Sequence, residues 1–418
     1  MKHPSIQPRL PIPSPLMMSE EGSFANVTLI ERWPTIIRRV IEENNFSPFI
    51  IDNLNNIIQE LPNGIVRSIK DDNGRDLKAW ASYIKPYEGQ RWIDVPWLFA
   101  EVYLYRRILE AIGYFTPGNY QGIDPFESQK SSSLAKVMPS IQAMSTQINK
   151  FVNSQENRQN AIALLYFALW GNRIDLSMWP EDAEEGARSR IESDSQQANI
   201  LVDDTSKIAD KIAGFHGVRI DFIIDNAGFE LFCDLCLADF LIDSGIADRV
   251  YFHLKPHPFF VSDAMIKDVQ HTLSALVNSS NSEVKLLGNR LGDRINQNRL
   301  ICCYDLFWTA PLPFWAMPEY LRCELAESKL IFVKGDANYR RLLGDCQWSF
   351  TTPFEDIVCY FPAPMVSLRT LKAEIIAGLQ ENQVEELTRK DPQWLINGEW
   401  GVIQFFDPFV LQPNIANG

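Results

Sequence analysis

The sequence predicts an α/β protein: a mostly parallel, Rossmann-like sheet flanked by helices, preceded by an all-helical domain. Apolar residues recur at helical spacing through the first half of the chain. In the second half, short β-rich apolar runs alternate with helical segments, the order expected of parallel strands joined by crossover helices. The length, 418 residues, also exceeds what a single core usually reaches, about 250–300 residues.

Residues 1–22 are rich in Pro and Ser, lack an apolar secretory core, and are expected to form a flexible tail. A helical domain is expected over 23–198. Residues 27–44 carry a helical apolar stripe, with Pro34 at a kink or a helix start. Residues 47–61 open on Ser47-Pro48, a cap followed by a first-turn proline. Residues 96–113 begin with Pro96 and stop at Gly113, the asymmetry helices favour. Segments 133–152 and 157–171 continue the pattern, and the polar stretch 180–197 reads as a linker or a solvated helix.

An α/β core is expected over 199–418. Its candidate strands are 219–225, 249–255, 299–305, 329–334, 364–370 and 400–406, mostly continuous apolar runs suited to burial on both faces. The helix 229–245 is the clearest of those between them. Right-handed crossovers would gather the strand C-terminal ends along one edge.

Ligands of open α/β sheets bind beyond those ends. The first of these strands is followed by Asp225-Asn226-Ala227-Gly228, with Glu230 in the next helical turn. The second leads through Phe259-Phe260-Val261-Ser262 to Asp263. Each acid can cap a helix. Together they also form a set of oxygen donors, which suits a hard divalent cation. After the fourth strand, Lys334-Gly335-Asp336-Ala337-Asn338-Tyr339 makes a glycine turn into a helix, where backbone N–H groups can meet an anion. Its spacing is not that of a Walker loop. After the fifth, Arg369-Thr370-Leu371-Lys372 supplies two cations and a hydroxyl at an expected helix start. Oxygen ligands for a metal beside cations suit phosphoryl transfer.

Composition narrows the partners. A formal net charge of −14 opposes binding to nucleic acid and to anionic membranes. No apolar run reaches the ~18–20 residues of a membrane span. A small anionic substrate therefore needs a metal or a local patch of positive charge. All seven cysteines lie at or after Cys233, which speaks against a disulfide framework and for a reducing, cytoplasmic compartment. No feature of the residues specifies an oligomeric state.

The stretches DNAGFELFCDLCLADFL (225–241), FFVSD (259–263), IFVKGDANYRRLLGD (331–345) and SLRTLK (367–372) resemble the metal-dependent damage-control phosphatases, a family once classed as a domain of unknown function. The likeness extends to 96–108 and 169–177 and so spans most of the chain. It is to the branch marked by an Arg-Thr-x-Lys motif, which includes proteins described as acidic-residue methyltransferase-like.

The resemblance implies a divalent metal, usually Mn²⁺, Co²⁺ or Ni²⁺, held by Asp225, Asn226 and Asp263; Mg²⁺ suits the same donors. It implies a small phosphorylated metabolite such as a sugar phosphate, contacted by Asp225, Asn226, the stretch Gly335 to Tyr339, and Lys372. Glu230 falls on an acidic position claimed for S-adenosylmethionine in one branch. Ala337 departs from the pattern, which has a larger apolar residue there, and this affects pocket shape.

The expected chemistry is in-line attack on a phosphomonoester. Lys372 and Lys334 would neutralise phosphate, with Arg369 and Thr370 beside them. Asp336 or Glu230 would be the general acid or base, and Asp225 a ligand or a nucleophile. Two other functions compete. A carboxyl methyltransferase using S-adenosylmethionine would need a glycine-rich cofactor turn, and Asp225–Gly228 contains one glycine. A non-catalytic protein binding phosphorylated metabolites would have no use for the metal set.

Several other motifs read as packing. Cys233-x-x-Cys236 lies inside an apolar helix, and Cys302-Cys303 inside a candidate strand. His253 and His257 have Pro256 between them and share no helix face. His257 is expected as a loop residue, and Trp308 and Trp315 as packing or as cover for the pocket. Asn172, Arg173 and Asp175 form a polar turn that can reach across from the helical half but needs no function.

Overall fold

The computed structural model describes residues 6–70, 72–152, 154, 156–171 and 198–410. Asn172, Arg173, Asp175 and the stretch 180–197 lie outside these residues.

Seven strands are present: β1 (Ile200–Asp203), β2 (Val218–Ile223), β3 (Ala247–Leu254), β4 (Leu300–Tyr304), β5 (Leu330–Lys334), β6 (Met365–Thr370) and β7 (Gly401–Phe406). They form one sheet in the order β1-β7-β6-β5-β2-β3-β4. Six coincide with the expected runs. β1 was not expected, because four half-exposed residues at a sheet edge carry too short a pattern. β2 to β6 run parallel. β7 is antiparallel to β6, and β1 is parallel to β7. The expectation that every strand ends on the same edge is therefore corrected for β1 and β7. The candidate site follows β2, β3, β5 and β6, which do share an edge.

Both faces of the sheet are covered, which is why its strands are apolar throughout. Side chains alternate between faces. Ile331 and Val333 of β5 join a core containing Trp33, Trp97 and Tyr103 from the helical half. Leu330 and Phe332 join a second core, with Phe222 of β2 and the helices Glu127–Val152, Asn157–Trp170 and Phe229–Asp243. The helical half thus contributes to both cores.

The helix expected over 27–44 begins as Phe24–Val27, passes through a π-turn at Thr28–Arg32 and continues as Trp33–Glu43, with Pro34 in its first turn. Pro48–Glu60 follows Ser47, whose side chain makes no capping bond. Trp97–Ile112 stops at Gly113, which takes a left-handed φ of +75° that glycine adopts without strain. Helices Leu77–Ile84 and Thr205–Ala213 were not anticipated.

Two further expectations are corrected. Residues 6–22 are fastened to the core instead of trailing free. The Arg9 N–H donates to the Asp356 carbonyl at 2.9 Å and the Leu16 N–H to the Asp345 carbonyl at 2.8 Å. Met18 is fully buried. The helix expected after Lys372 does not form. The Arg369 guanidinium takes the carbonyls of Ala373 and Ile375, holding that segment in an irregular turn. Among the described residues, no helix is long and apolar enough to cross a membrane.

Candidate active site

Asp225 and Asn226 lie just past β2, and the loop after its neighbour β3 folds back beside them. Asn226 and Asp263 form an antiparallel bridge. The Ala227 N–H donates to the Ser262 carbonyl at 2.7 Å, and the Ala264 N–H to the Asp225 carbonyl at 2.8 Å. Two loops far apart in sequence are thereby laced, and the three expected donors become neighbours. The return path is strained: Phe260 has φ +41° and Val261 +63°. A β-branched residue rarely enters that region, and such strain concentrates at functional sites.

Neither acid is used as a cap. The helix after Asp225 is capped by Gly228 without a side-chain bond. The helix after Asp263 starts from Met265, whose N–H donates to Asp268 at 2.8 Å. Asp225 is 4% exposed and its Oδ1 has no hydrogen-bond partner among the described residues. Its Oδ2 accepts from Asn226 Nδ2 at 2.9 Å, and the same Nδ2 donates to Glu230 Oε2 at 2.9 Å. Asn226 Oδ1 accepts from Ser262 Oγ at 2.6 Å. Lys255 Nζ lies 3.2 Å from Asp263 Oδ2 and donates to the Ile224 carbonyl at 2.9 Å.

Burial pushes the Asp263 carboxyl up to about 6, against the opposing pull of Lys255. Asp225 is raised well above the carboxylate range, first by burial and then by Asp263 and Glu230, with Lys255 and Lys372 pulling down. Two adjacent buried acids are costly alone and suit a cation between them. Among the described residues, no group of three or more His, Cys, Asp or Glu is placed to hold a metal. The donor set is two carboxylates and an amide, which fits a hard cation that completes its shell with water and substrate oxygens.

A cavity of about 420 Å³ opens at this edge, within the range of small-molecule sites. Asp225, Asn226, Asp263, Asp336, Ala337 and Lys372 line it. Asp336 Oδ1 accepts from Arg369 Nε at 2.8 Å and from the Lys372 N–H at 3.1 Å, so it shapes the turn that presents Lys372. Lys372 is exposed, and no carboxylate among the described residues lies within ion-pair distance of it.

Other expected contacts point elsewhere. Lys334 continues the alternation of Leu330 and Phe332, so its ammonium enters the second core. There it lies 3.1 Å from Asp234 Oδ1, 3.8 Å from Glu230 Oε1, and on the Ala168 carbonyl. It does not line the cavity. Arg369 is fully buried, over the Tyr339 ring at 4.3 Å. Asn338 Nδ2 donates to the Lys334 carbonyl at 2.9 Å, and Tyr339 Oη donates to Gln404 at 2.9 Å. Both side chains hold the fold. Thr370 ends β6 outside the lining, and Gly335 lies behind Asp225. His257 is buried on Thr309 Oγ1 at 3.0 Å and Trp308 is in the core; neither they nor Trp315 line the cavity.

The helical half supplies a wall that the sequence reading missed: Thr28, Arg32, Thr35 and Arg39, with Glu101, while Arg340 of the α/β half also lines the cavity. The spacing of the first four along one helix was the available signal.

An acid–amide set and a lysine line one cavity at the strand ends of an α/β sheet, the edge where such folds bind ligands. Residues 28–387 match the damage-control phosphatase ARMT1-like domain. The chain belongs to that family of phosphatases. It is 34% identical to the damage-control phosphatase ARMT1 of Danio rerio, over 95% of this chain and 97% of the relative. The Mus musculus protein of that name is 34% identical and the Homo sapiens one 31%, each over 95% of this chain and 99% of the relative. The crystal structure of a DUF89 family protein from Pyrococcus horikoshii is more distant. It shares 13% identity at a TM-score of 0.45, over 91% of this chain and 96% of that one.

Proposed function

We propose that this protein is a metal-dependent phosphatase hydrolysing phosphomonoesters of small metabolites such as sugar phosphates. The Asn226–Asp263 bridge carries the proposal, because it holds three oxygen donors together on the cavity that Lys372 also lines. A divalent metal bound by Asp225, Asn226 and Asp263 would withdraw charge from the phosphoryl group and orient water. Mn²⁺ is the first candidate, and Co²⁺, Ni²⁺ and Mg²⁺ suit similar donors.

Lys372 binds the phosphate. Asp225 Oδ1, which has no hydrogen-bond partner among the described residues, serves as ligand or as nucleophile. Asp336 uses Oδ1 for Arg369 and Lys372, which leaves Oδ2 to exchange a proton with the leaving group. None of the seven cysteines is paired among the described residues, which supports a reducing, cytoplasmic setting.

The test is a panel of phosphometabolites and p-nitrophenyl phosphate, assayed with each metal against an EDTA control. Transfer of a labelled methyl group is measured in parallel. Phosphate release that depends on metal is expected. Methyl transfer without phosphate release would sink the proposal.

A further inference from the structure

The helix that walls the cavity places Thr28, Arg32, Thr35 and Arg39 on its lining, at successive spacings of four, three and four residues. That spacing is one helix face. The other face, Leu29, Ile37 and Val40, is fully buried in the core. The wall begins in the π-turn Thr28–Arg32, a distortion found mostly at functional sites.

The cations around this cavity differ in how they are engaged. Lys255 is paired with Asp263, Arg340 with Glu101 and Asp345, and Arg369 with Asp336. Arg32 has no carboxylate within ion-pair distance among the described residues; its guanidinium lies 4.9 Å over the Phe24 ring. Among the described residues Arg39 pairs only with Glu43 of its own helix, and its side chain is 56% exposed. Such a pair holds weakly and exchanges readily for a better anion. Thr28 is 2% exposed, and its Oγ1 has no hydrogen-bond partner among the described residues. A buried hydroxyl in a cavity wall without a partner calls for a ligand or water.

We infer that this face reads the leaving group, and that preferred substrates are hydroxylated phosphomonoesters bearing a second anionic group. This rests on the phosphatase reading, in which Lys372 and the metal set take the transferred phosphoryl group. The guanidinium fork then accepts a carboxylate or a second phosphate, both of which it can bind through two parallel N–H bonds. Thr28 takes a hydroxyl of the same ligand.

The test uses the intact chain with its best metal and three six-carbon substrates. Glucose 6-phosphate has no second anion, 6-phosphogluconate adds a carboxylate, and glucose 1,6-bisphosphate adds a phosphate. A kcat/KM about 10-fold or more higher for at least one doubly anionic compound than for glucose 6-phosphate is expected. Which one is favoured identifies the second group. In the Arg32→Ala/Arg39→Ala variant that ratio should fall to near one, through KM more than kcat, and Arg32→Lys should restore part of it. General damage to the fold would lower all three rates and leave the ratio standing, so an unchanged ratio overturns the inference. So does an unaltered protein that hydrolyses all three equally. Failure to hydrolyse p-nitrophenyl phosphate or any of the three with any metal would overturn the phosphatase reading itself, and this inference with it.

Discussion

A β-carbon on Gly335 would lie 1.9 Å from Asp225 Oδ2, and the Gly335 backbone holds a φ of +78°. The turn after β5 is thus pressed against the carboxylate that follows β2, at a distance only a residue without a side chain allows. Gly335→Ala should displace Asp225 and strain the turn. A misplacement near 1 Å typically costs about 100-fold in rate. The expected result is a kcat/KM loss of that order, with weakened metal affinity, checked by steady-state kinetics and metal titration. Full activity would mean that Asp225 need not sit where it does.

Asp225→Ala should abolish metal-dependent turnover, because it removes Oδ1, which has no partner among the described residues, in either of its proposed roles. Asp263→Asn should weaken metal binding while Lys255 keeps a polar partner. Both are read by phosphate release across a metal titration. Full turnover by Asp225→Ala with metal supplied would exclude it as ligand and as nucleophile.

Two lysines from adjacent strand ends should behave oppositely. Lys334 is 1% exposed and paired with Asp234. Lys334→Met would leave a buried acid uncompensated, at a cost of about 3–5 kcal/mol, and should show as a lower melting temperature. Lys372→Ala should barely change the melting temperature and should raise KM for every phosphomonoester. Equal effects of the two substitutions on KM would contradict this division.

Burial raises Asp234 to about 7 despite Lys334 beside it, while Asp234 and Glu230 hold Lys334 above its ordinary value. An acid whose folded value exceeds its unfolded value binds more protons when folded. Its contribution is full below about pH 4 and is lost as pH rises towards about 7. Asp234→Asn removes that slope. The melting temperature of the variant minus that of the unaltered protein should therefore climb between pH 4 and 7. A flat or falling difference would show that Asp234 is ionised throughout.

The placing of much of the candidate site was legible because its residues follow strands with continuous apolar runs, and the edge rule locates what comes next. Asp225, Asn226, Asp263 and Lys372 could be placed that way. Lys334 and Arg369 could not, because strand alternation decides which face a terminal residue enters, and a shift of one position reverses the answer. The helix expected after Lys372 failed for a related reason: a buried guanidinium outcompeted local helical preference for the carbonyls of Ala373 and Ile375. The wall from Thr28 to Arg39 was overlooked because a polar helix face looks the same whether it meets solvent or a cavity.

The division of the cavity between strand loops and one N-terminal helix has an evolutionary corollary. The residues that would break the phosphate ester and those that would choose its bearer are encoded roughly two to three hundred positions apart. Substitutions between Thr28 and Arg39 can thus diversify without touching the acids, so descendants of one ancestor could keep their reaction while changing their diet. A transplant of that helix between relatives would carry the preference with it.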